Sequence, residues 1–401
     1  MLKRMEIKIY KIDDIFDFQK KSKFKAGDGI TNGLYPFYTS STDLTKSINQ
    51  FIYQGESLIF GTGGKPSIHF AQNKFSTTAD CIVIQKKKGL NIDAEYCYYY
   101  LKANVQILER GFKGAGLKHI SKDYIKKIKI PVPYKNGEYD LLTQKRIAKV
   151  LSDTEKLIAK RKQSIQMLDE FLKATFLEMF GDPVRNEKGW EMEPISKVSS
   201  LRLGKMLDKK QFTGKNLKPY LRNTNVLWFK FNLNELYKMD FSKKEQQEFK
   251  LQYGDILMCE GGEIGRCAIW KEEISNCYFQ KALHRIRLFN EILLPEYFVF
   301  MFWQYTFSGG LKKHTGMATI SHLTGEKLKK IKVPVPPLPL QNQFAEIVQK
   351  TETIKEQFEQ GLRELENLYG SLSQKAFKGE LDLSKVEIEE TELKSDIKID
   401  L

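Results

Sequence analysis

The sequence predicts an α+β protein in which two globular α/β-type domains alternate with two long helices, the second half of the chain being a tandem copy of the first. Three observations carry that expectation. Residues Gln144–Phe180 (QKRIAKVLSDTEKLIAKRKQSIQMLDEFLKATFLEMF) contain neither Gly nor Pro, and Leu151, Ile158, Ile165, Leu172 and Met179 recur at intervals of seven, the apolar stripe of a coiled-coil-like helix. Residues Gln341–Phe377 repeat the pattern: Phe344, Thr351, Phe358, Leu365 and Leu372 fall at sevens, with Ile347, Ile354 and Leu368 on a neighbouring seam. Placing Gln144 on Gln341 carries Ala148 onto Ala345 and Phe180 onto Phe377 at one offset of 197, and landmarks in the flanking sequence return in the same order.

The first domain spans residues 1–143. Ile7-Lys-Ile-Tyr10 opens it as a strand, with turn chemistry at Gly27-Asp28-Gly29 and Asn32-Gly33. Tyr35-Pro-Phe-Tyr-Thr-Ser-Ser41 follows, then Gly55-Glu-Ser-Leu-Ile-Phe60 as a turn entering a short strand, and Cys81-Ile-Val-Ile84 as a buried one. Asp93 is placed to cap a helix bearing Tyr96, Cys97, Tyr100 and Leu101. The glycine-punctuated basic loop Gly111–His119 leads to Ile128-Lys-Ile-Pro-Val-Pro133, which its prolines keep extended. The first long helix, with its end, takes residues 144–182; it would measure on the order of 55 Å at ~1.5 Å per residue, and Gly181-Asp182-Pro183 stops it. The second domain covers residues 183–340. The second helix covers 341–379, where Gly361 and Gly370 weaken it by ~1 kcal/mol each. The tail, 380–401, holds eight acids and three lysines and is expected to be disordered.

The second domain replays the order of the first. Gly254-Asp-Ile-Leu-Met258 matches Gly55-Glu-Ser-Leu-Ile59 at an offset of 199, and Glu296-Tyr297 matches Glu95-Tyr96 at 201. Gly316-Met-Ala-Thr-Ile-Ser321 matches Gly116-Leu-Lys-His-Ile-Ser121 at 200, and Ile331-Lys-Val-Pro-Val-Pro336 matches the first exit at 203, which puts three extra residues around Thr324-Gly325-Glu326. Between landmarks the loops differ: Gly61-Thr-Gly-Gly-Lys65 in the first copy, Cys259-Glu-Gly-Gly-Glu-Ile-Gly-Arg266 in the second. A shared frame with unlike loops suits two binding heads for two targets.

At 401 residues the chain exceeds one ordinary core. Its formal charge is +15, and the tail contributes −5, so the body carries about +20. Such a balance points to a polyanion partner, usually nucleic acid. The most apolar run, Tyr297–Trp303, is far short of the ~20 residues a spanning helix needs, and the amino terminus has no apolar signal core, so no membrane association and a cytoplasmic location are expected. Five cysteines without a CxxC pair fit buried thiols in a reducing compartment.

No catalytic set emerges. Gly61-Thr-Gly-Gly-Lys65 has Pro66 where a phosphate loop needs Ser or Thr, and Cys259, Cys267, Cys277 and His284 lack zinc-site spacing. Glu260 and Glu263 share a loop without accompanying metal ligands, and neither a methyltransferase signature nor a Ser/His/Asp set is present. Catalytic residues and metal ligands are therefore expected to be absent. The loops instead mix bases, turn-formers and polar groups that neutralise phosphates or read base edges. The DNA-binding candidates are Thr39, Ser40, Lys65, Lys113, Lys118 and His119 in the first head. In the second they are Arg222, Asn223, Asn225, Glu260, Glu263, Arg266, Lys281, His284, Lys313 and His314. The helix-packing candidates are Leu151, Ile158, Ile165, Leu172 and Met179 with Ile347, Ile354, Phe358, Leu365 and Leu372.

The two Ile-Lys-Ile/Val-Pro-Val-Pro exits, each feeding a Gln-led helix, together with Phe180-Gly-Asp-Pro183, Tyr35–Ser41, Tyr220-Leu-Arg-Asn and Cys259-Glu-Gly-Gly-Glu, resemble the specificity (S) subunit of type I restriction–modification systems over about residues 5–380. The resemblance implies two target-recognition domains, each reading one half of a split DNA sequence. It implies that the helices pack as an antiparallel coiled coil, hold the heads apart and dock two methyltransferase subunits, which restriction-motor subunits then join. It also implies a chain that performs no catalysis and binds no cofactor, with S-adenosylmethionine, ATP and Mg²⁺ in the partner subunits. Two features depart from the pattern: Tyr134 stands where the second exit has Pro337, and the second helix contains two glycines. Two other readings fit the sequence, a specificity subunit serving a fused nuclease–methyltransferase chain and a coiled-coil scaffold.

Overall fold

The periodic signals resolve into one plan built twice. The computed structural model describes residues 6–206, 213–312 and 322–388. The chain divides into two compact units, Met1–Lys162 with Gln360–Leu401, and Gln163–Glu359. Each unit thus holds one head and a part of both long helices.

The strands of the first unit are β1 (Glu6–Lys11), β2 (Phe16–Phe18), β3 (Tyr35–Tyr38), β4 (Ser47–Ile48), β5 (Ser57–Gly61), β6 (Ser67–Ala71), β7 (Ser76–Thr77), β8 (Cys81–Lys86), β9 (Phe112–Lys113), β10 (His119–Ile120), β11 (Lys129–Lys135) and β12 (Glu138–Tyr139). An antiparallel sheet of order β2-β8-β5-β6 lies at the centre. β5 is buried along its whole length, and strand alternation sorts its side chains to two faces. Leu58 and Phe60 join the core that includes helix Ala94–Ala103, while Ile59 joins a smaller core with Tyr38, Tyr53 and Phe75. A second sheet, β4-β3-β7, supplies Tyr38 to that smaller core, and its β3 and β7 run parallel.

The second unit repeats this with β13 (Glu191–Pro194), β14 (Ser199–Leu203), β15 (Leu217–Leu221), β16 (Tyr237–Asp240), β17 (Ile256–Cys259), β18 (Cys267–Ile269), β19 (Tyr278–Phe279), β20 (Leu283–Leu288) and β21 (Lys332–Val335). The sheet orders are β14-β20-β17-β18 and β16-β15-β19, again with one parallel pair, β15 and β19. Ile256 and Met258 face one core, Leu257 and Cys259 the other. The proline-bearing exits pair antiparallel with the opening strand in both units, β11 with β1 and β21 with β13.

The long helices are Leu141–Phe180 and Leu338–Lys378, each starting three residues before its glutamine. Asp140 moves the first start forward by accepting hydrogen bonds from Thr143 N (3.0 Å) and Thr143 Oγ1 (2.7 Å), an N-cap that the repeated Gln concealed. Gly181 (φ +76°) and Gly379 (φ +74°) terminate them in the left-handed conformation that glycine adopts without a Cβ clash. Gly361 and Gly370 leave the second helix unbroken. A Cβ on Gly361 would lie 2.7 Å from Arg161 Nη1, so glycine there makes room for a guanidinium from the other helix.

Within each unit the helix segments run antiparallel. In the first, Leu151 shares a core with Leu372 and Ala376, and Lys162 pairs with Glu366 at 2.9 Å. In the second, Leu172 and Phe176 share a core with Phe344 and Val348, and Asp169 meets Lys355. The ends of the heptad stripe therefore insert into the heads as well as facing the other helix. Ile158, Ile165, Met179, Ile347, Phe358, Leu365 and Leu372 are half-buried. Ile354 is a correction, being 42% exposed; a straight helix drifts by ~20° per heptad, which carries a seam beginning at Ile347 out toward water. The tail also needs correcting in its described part. Leu381 and Leu383 pack on the first core, because apolar residues alternate with the acids and give the segment something to bury. Residues 389–401 lie outside the described residues.

Candidate nucleic-acid interface

In the first head three loops meet at the β5–β6 turn, and the backbone holds them. The Asp80 carbonyl accepts three donors: Thr62 N (2.9 Å), Thr62 Oγ1 (2.9 Å) and Ser40 Oγ (2.8 Å). The Thr62 carbonyl accepts Ile120 N (3.1 Å) and the His119 Nδ1–H (3.1 Å), tying in the β9–β10 hairpin. Gly61 is required by closeness alone: a Cβ there would sit 2.2 Å from Ser67 Oγ and 2.8 Å from Ser40 Cα. This frame brings Thr39, Ser40, Lys65, Lys113, Lys118 and His119 to one edge. Lys65, Lys113, Lys118 and His119 are exposed, and Lys113 faces His119 across the hairpin. Thr39 Oγ1 accepts Ser41 N (3.1 Å), and the half-buried His69 donates from Nε2 to Ser41 O (2.8 Å). Burial lowers the His69 pKa, so its ring stays neutral at pH 7.

The second head uses the same two backbone bonds. Glu260 N donates to Ala282 O (3.0 Å) and Leu323 N to Glu260 O (2.8 Å), as Thr62 and Ile120 do in the first. A Cβ on Gly63 would touch the His119 ring at 3.1 Å, and one on Gly261 the His322 ring at 3.0 Å. His322 is thus the structural counterpart of His119, at an offset of 203. The 200-residue register read from Gly316–Ser321 falls on residues outside the described set, and the inserted residues precede His322 rather than surrounding Thr324. The signal was in the sequence: His119-Ile-Ser121 against His322-Leu-Thr324, where both Ser121 and Thr324 precede a short helix.

What the second frame carries is different. Arg266 donates from Nη1 to Glu263 Oε2 (2.9 Å) and from Nη2 to Asn223 O (3.1 Å). Glu263 Oε1 accepts the Trp228 indole (2.6 Å), and Asn223 Nδ2 donates to Gly261 O (2.9 Å). Arg222 lies 3.6 Å over the Tyr237 ring and faces Glu235 at 3.5 Å. Lys281 is exposed beside this turn. An open cleft of about 870 Å³ adjoins it, lined in part by Arg202, Lys205, Glu260, Glu326 and Lys329. Burial pushes the Cys259 thiol up despite the neighbouring Arg266, which marks a core cysteine rather than a nucleophile.

Two candidates are corrected here. His284 is 1% exposed and its Nε2–H is committed to Leu323 O at 2.9 Å; burial lowers its pKa and leaves it neutral. Asn225 is 3% exposed; its Oδ1 accepts Arg222 N (2.9 Å) and its Nδ2 donates to Asn232 O and Glu235 O (2.9 and 3.0 Å). Both hold the head together, because turn-building and base-reading draw on the same polar side chains. Lys313 and His314 lie outside the described residues. His322, Trp228 and Tyr237 were not singled out by sequence; for the last two, an aromatic next to a basic loop was the available signal. Among the described residues no group of three or more His, Cys, Asp or Glu side chains is arranged to hold a metal ion, and no helix is long and apolar enough to cross a membrane.

A head built twice on the same bonds, with different side chains at the same edge, defines a protein with two dissimilar recognition surfaces. The model of the type I restriction modification DNA specificity domain matches residues 5–168 and 187–367, once in each half. The chain belongs to that family, as a specificity subunit with the domain present twice. It is similar to the type I restriction enzyme MjaVIII specificity subunit of Methanocaldococcus jannaschii, at 24% identity over 84% of this chain and 85% of that one. It is also similar to the EcoDI specificity subunit of Escherichia coli, at 22% identity over 90% and 85%. Its fold is like that of the crystal structure of a type I restriction–modification S subunit from M. genitalium, with a TM-score of 0.60, 16% identity and coverage of 93% and 96%.

Proposed function

We propose that this chain reads a bipartite, asymmetric site in double-stranded DNA, one half per head, and docks methyltransferase subunits and through them restriction-motor subunits. The observation that carries this is the pairing of an identical backbone frame with unlike edges: Lys65, Lys113, Lys118 and His119 in one head, Arg222, Asn223, Glu263 and Arg266 in the other. Exposed lysines neutralise phosphates without regard to sequence, whereas braced Glu and Arg groups present fixed acceptors and donors to base edges. The long helices serve as the spacer between the two readings. The chain is a non-catalytic, cytoplasmic subunit in this reading. S-adenosylmethionine, ATP and Mg²⁺ belong to the partners, since a methylated base must be flipped into a pocket built for it. The test is binding by the chain together with its methyltransferase, on a bipartite duplex and a scrambled one across a salt series. The proposal expects the bipartite duplex to bind ~10³-fold or more tightly; equal, purely salt-controlled affinity would overturn it.

A further inference from the structure

Each long helix carries a fully buried glutamine in its first turn, and both glutamines perform the same task. Gln144 is 0% exposed; its Oε1 accepts Asp93 N at 2.9 Å and its Nε2 donates to Asn91 O at 3.2 Å. Gln341 is also 0% exposed; its Oε1 accepts Leu294 N at 2.9 Å, and its Nε2 donates to Ile292 O at 3.0 Å and Pro336 O at 2.8 Å. In both cases the side chain grips, from two sides, the loop that starts the head's own helix, Ala94–Ala103 or Pro295–Phe307. Alongside, that helix is tied to the proline exit by a tyrosine: Tyr96 OH to Pro131 O (2.6 Å) and Tyr297 OH to Pro334 O (3.0 Å).

An apolar side chain of similar length would fill these positions. A primary amide adds direction, because its donor and acceptor lie in one plane and engage a backbone N–H and C=O together. The amide therefore opposes rotation of the head loop about the first turn of the long helix. Such rotation matters for a bipartite reader. A tilt of about 10° acting over ~20 Å, the length of a 13-residue helix at ~1.5 Å per residue, moves the far end by ~3.5 Å, about one base-pair step of DNA.

We propose that Gln144 and Gln341 are positioning residues that fix the angle of each head on its long helix, and with it the spacer length that the protein accepts. The inference rests on the bipartite reading above. Its test uses the full chain with its methyltransferase and duplexes carrying both half-sites, the spacer natural or changed by one base pair either way. Gln144→Met and Gln341→Met are each expected to reduce the discrimination between spacers from ~10-fold or more to within ~3-fold. The penalty for a single mismatched base inside either half-site is expected to stay unchanged, a combination that general destabilisation does not produce. Folded variants with the parental spacer profile would overturn the inference, and so would loss of cooperative folding in both Met variants, which would assign the glutamines to stability alone. A parent chain with no spacer preference would instead remove the bipartite reading itself, so the two failures are distinguishable.

Discussion

The β5–β6 turn and its counterpart between β17 and β18 hang on the same pair of backbone hydrogen bonds, yet they present opposite kinds of surface. The first offers Lys65 on an exposed tip between Gly64 and Pro66, beside the lysines of a hairpin. The second offers a network in which Arg266 braces Glu263 and Asn223, and Trp228 braces Glu263 again. The contrast teaches where identity resides in this fold. The shared bonds are between main-chain groups, which every residue owns, so most side chains at the edge can diverge without loss of the frame.

The comparison extends beneath the loops and can be tested there. Phe180 packs on Tyr297 (4.7 Å) and Phe344 (5.5 Å), while its repeat partner Phe377 packs on Tyr96 and Tyr100 and is only half-buried. Phe180→Ala is expected to cost ~3–5 kcal/mol and Phe377→Ala less. Differential scanning calorimetry should show each substitution lowering the transition of its own unit first. Equal shifts of a single transition would mean that the two units do not melt separately.

A smaller asymmetry concerns Glu95, on the first head's helix. Burial, and then the charge of Asp93, raise its pKa to about 7, against the pull of Ser152 and Lys156. The folded state therefore holds a proton that the unfolded state releases. The stability from that proton is complete below the ordinary carboxyl pKa near 4.5 and is lost as pH rises through about 7. Glu95→Gln mimics the protonated form, so it should stabilise the protein by ~2 kcal/mol at pH 8 and leave it near parental at pH 4.5. Melting curves across that range would check it, and a pH-independent difference would contradict the assignment.

At the edges, replacing both Lys113 and Lys118 with Gln should weaken binding about equally on all sequences and lower the slope of log affinity against log salt by ~2. Arg266→Gln, by contrast, should relax base preference in one half-site with little change of slope. The smallest effect is expected on the helices. Ile354→Ser should shift stability by only ~0.5 kcal/mol in a denaturant titration, because its side chain is largely open to water at 42% exposure.

Much of this plan was legible in the sequence because it is periodic or repeated. The short apolar strands after Gly55 and Gly254, the heptads from Leu151 and Phe344, and the Asp93 cap each depend on neighbours along the chain. What was not legible depends on neighbours in space. Asn225 and His284 look like surface polar groups until the fold buries them among backbone partners. Ile354 follows its heptad but not the curvature of the surface it was meant to meet. The repeat register near residue 320 was drawn through a shared Ile-Ser pair, whereas the hydrogen bonds to Thr62 and Glu260 align His119 with His322.

The central claim, that each head reads one half of the site independently, is tested most directly by exchanging one head. Residues 6–143 would be replaced by the corresponding domain of a relative, and the variant expressed with its methyltransferase for single-molecule methylome sequencing. The account predicts that one half of the methylated sequence changes while the other half and the spacer stay the same. An unchanged site, or a change in both halves, would contradict it.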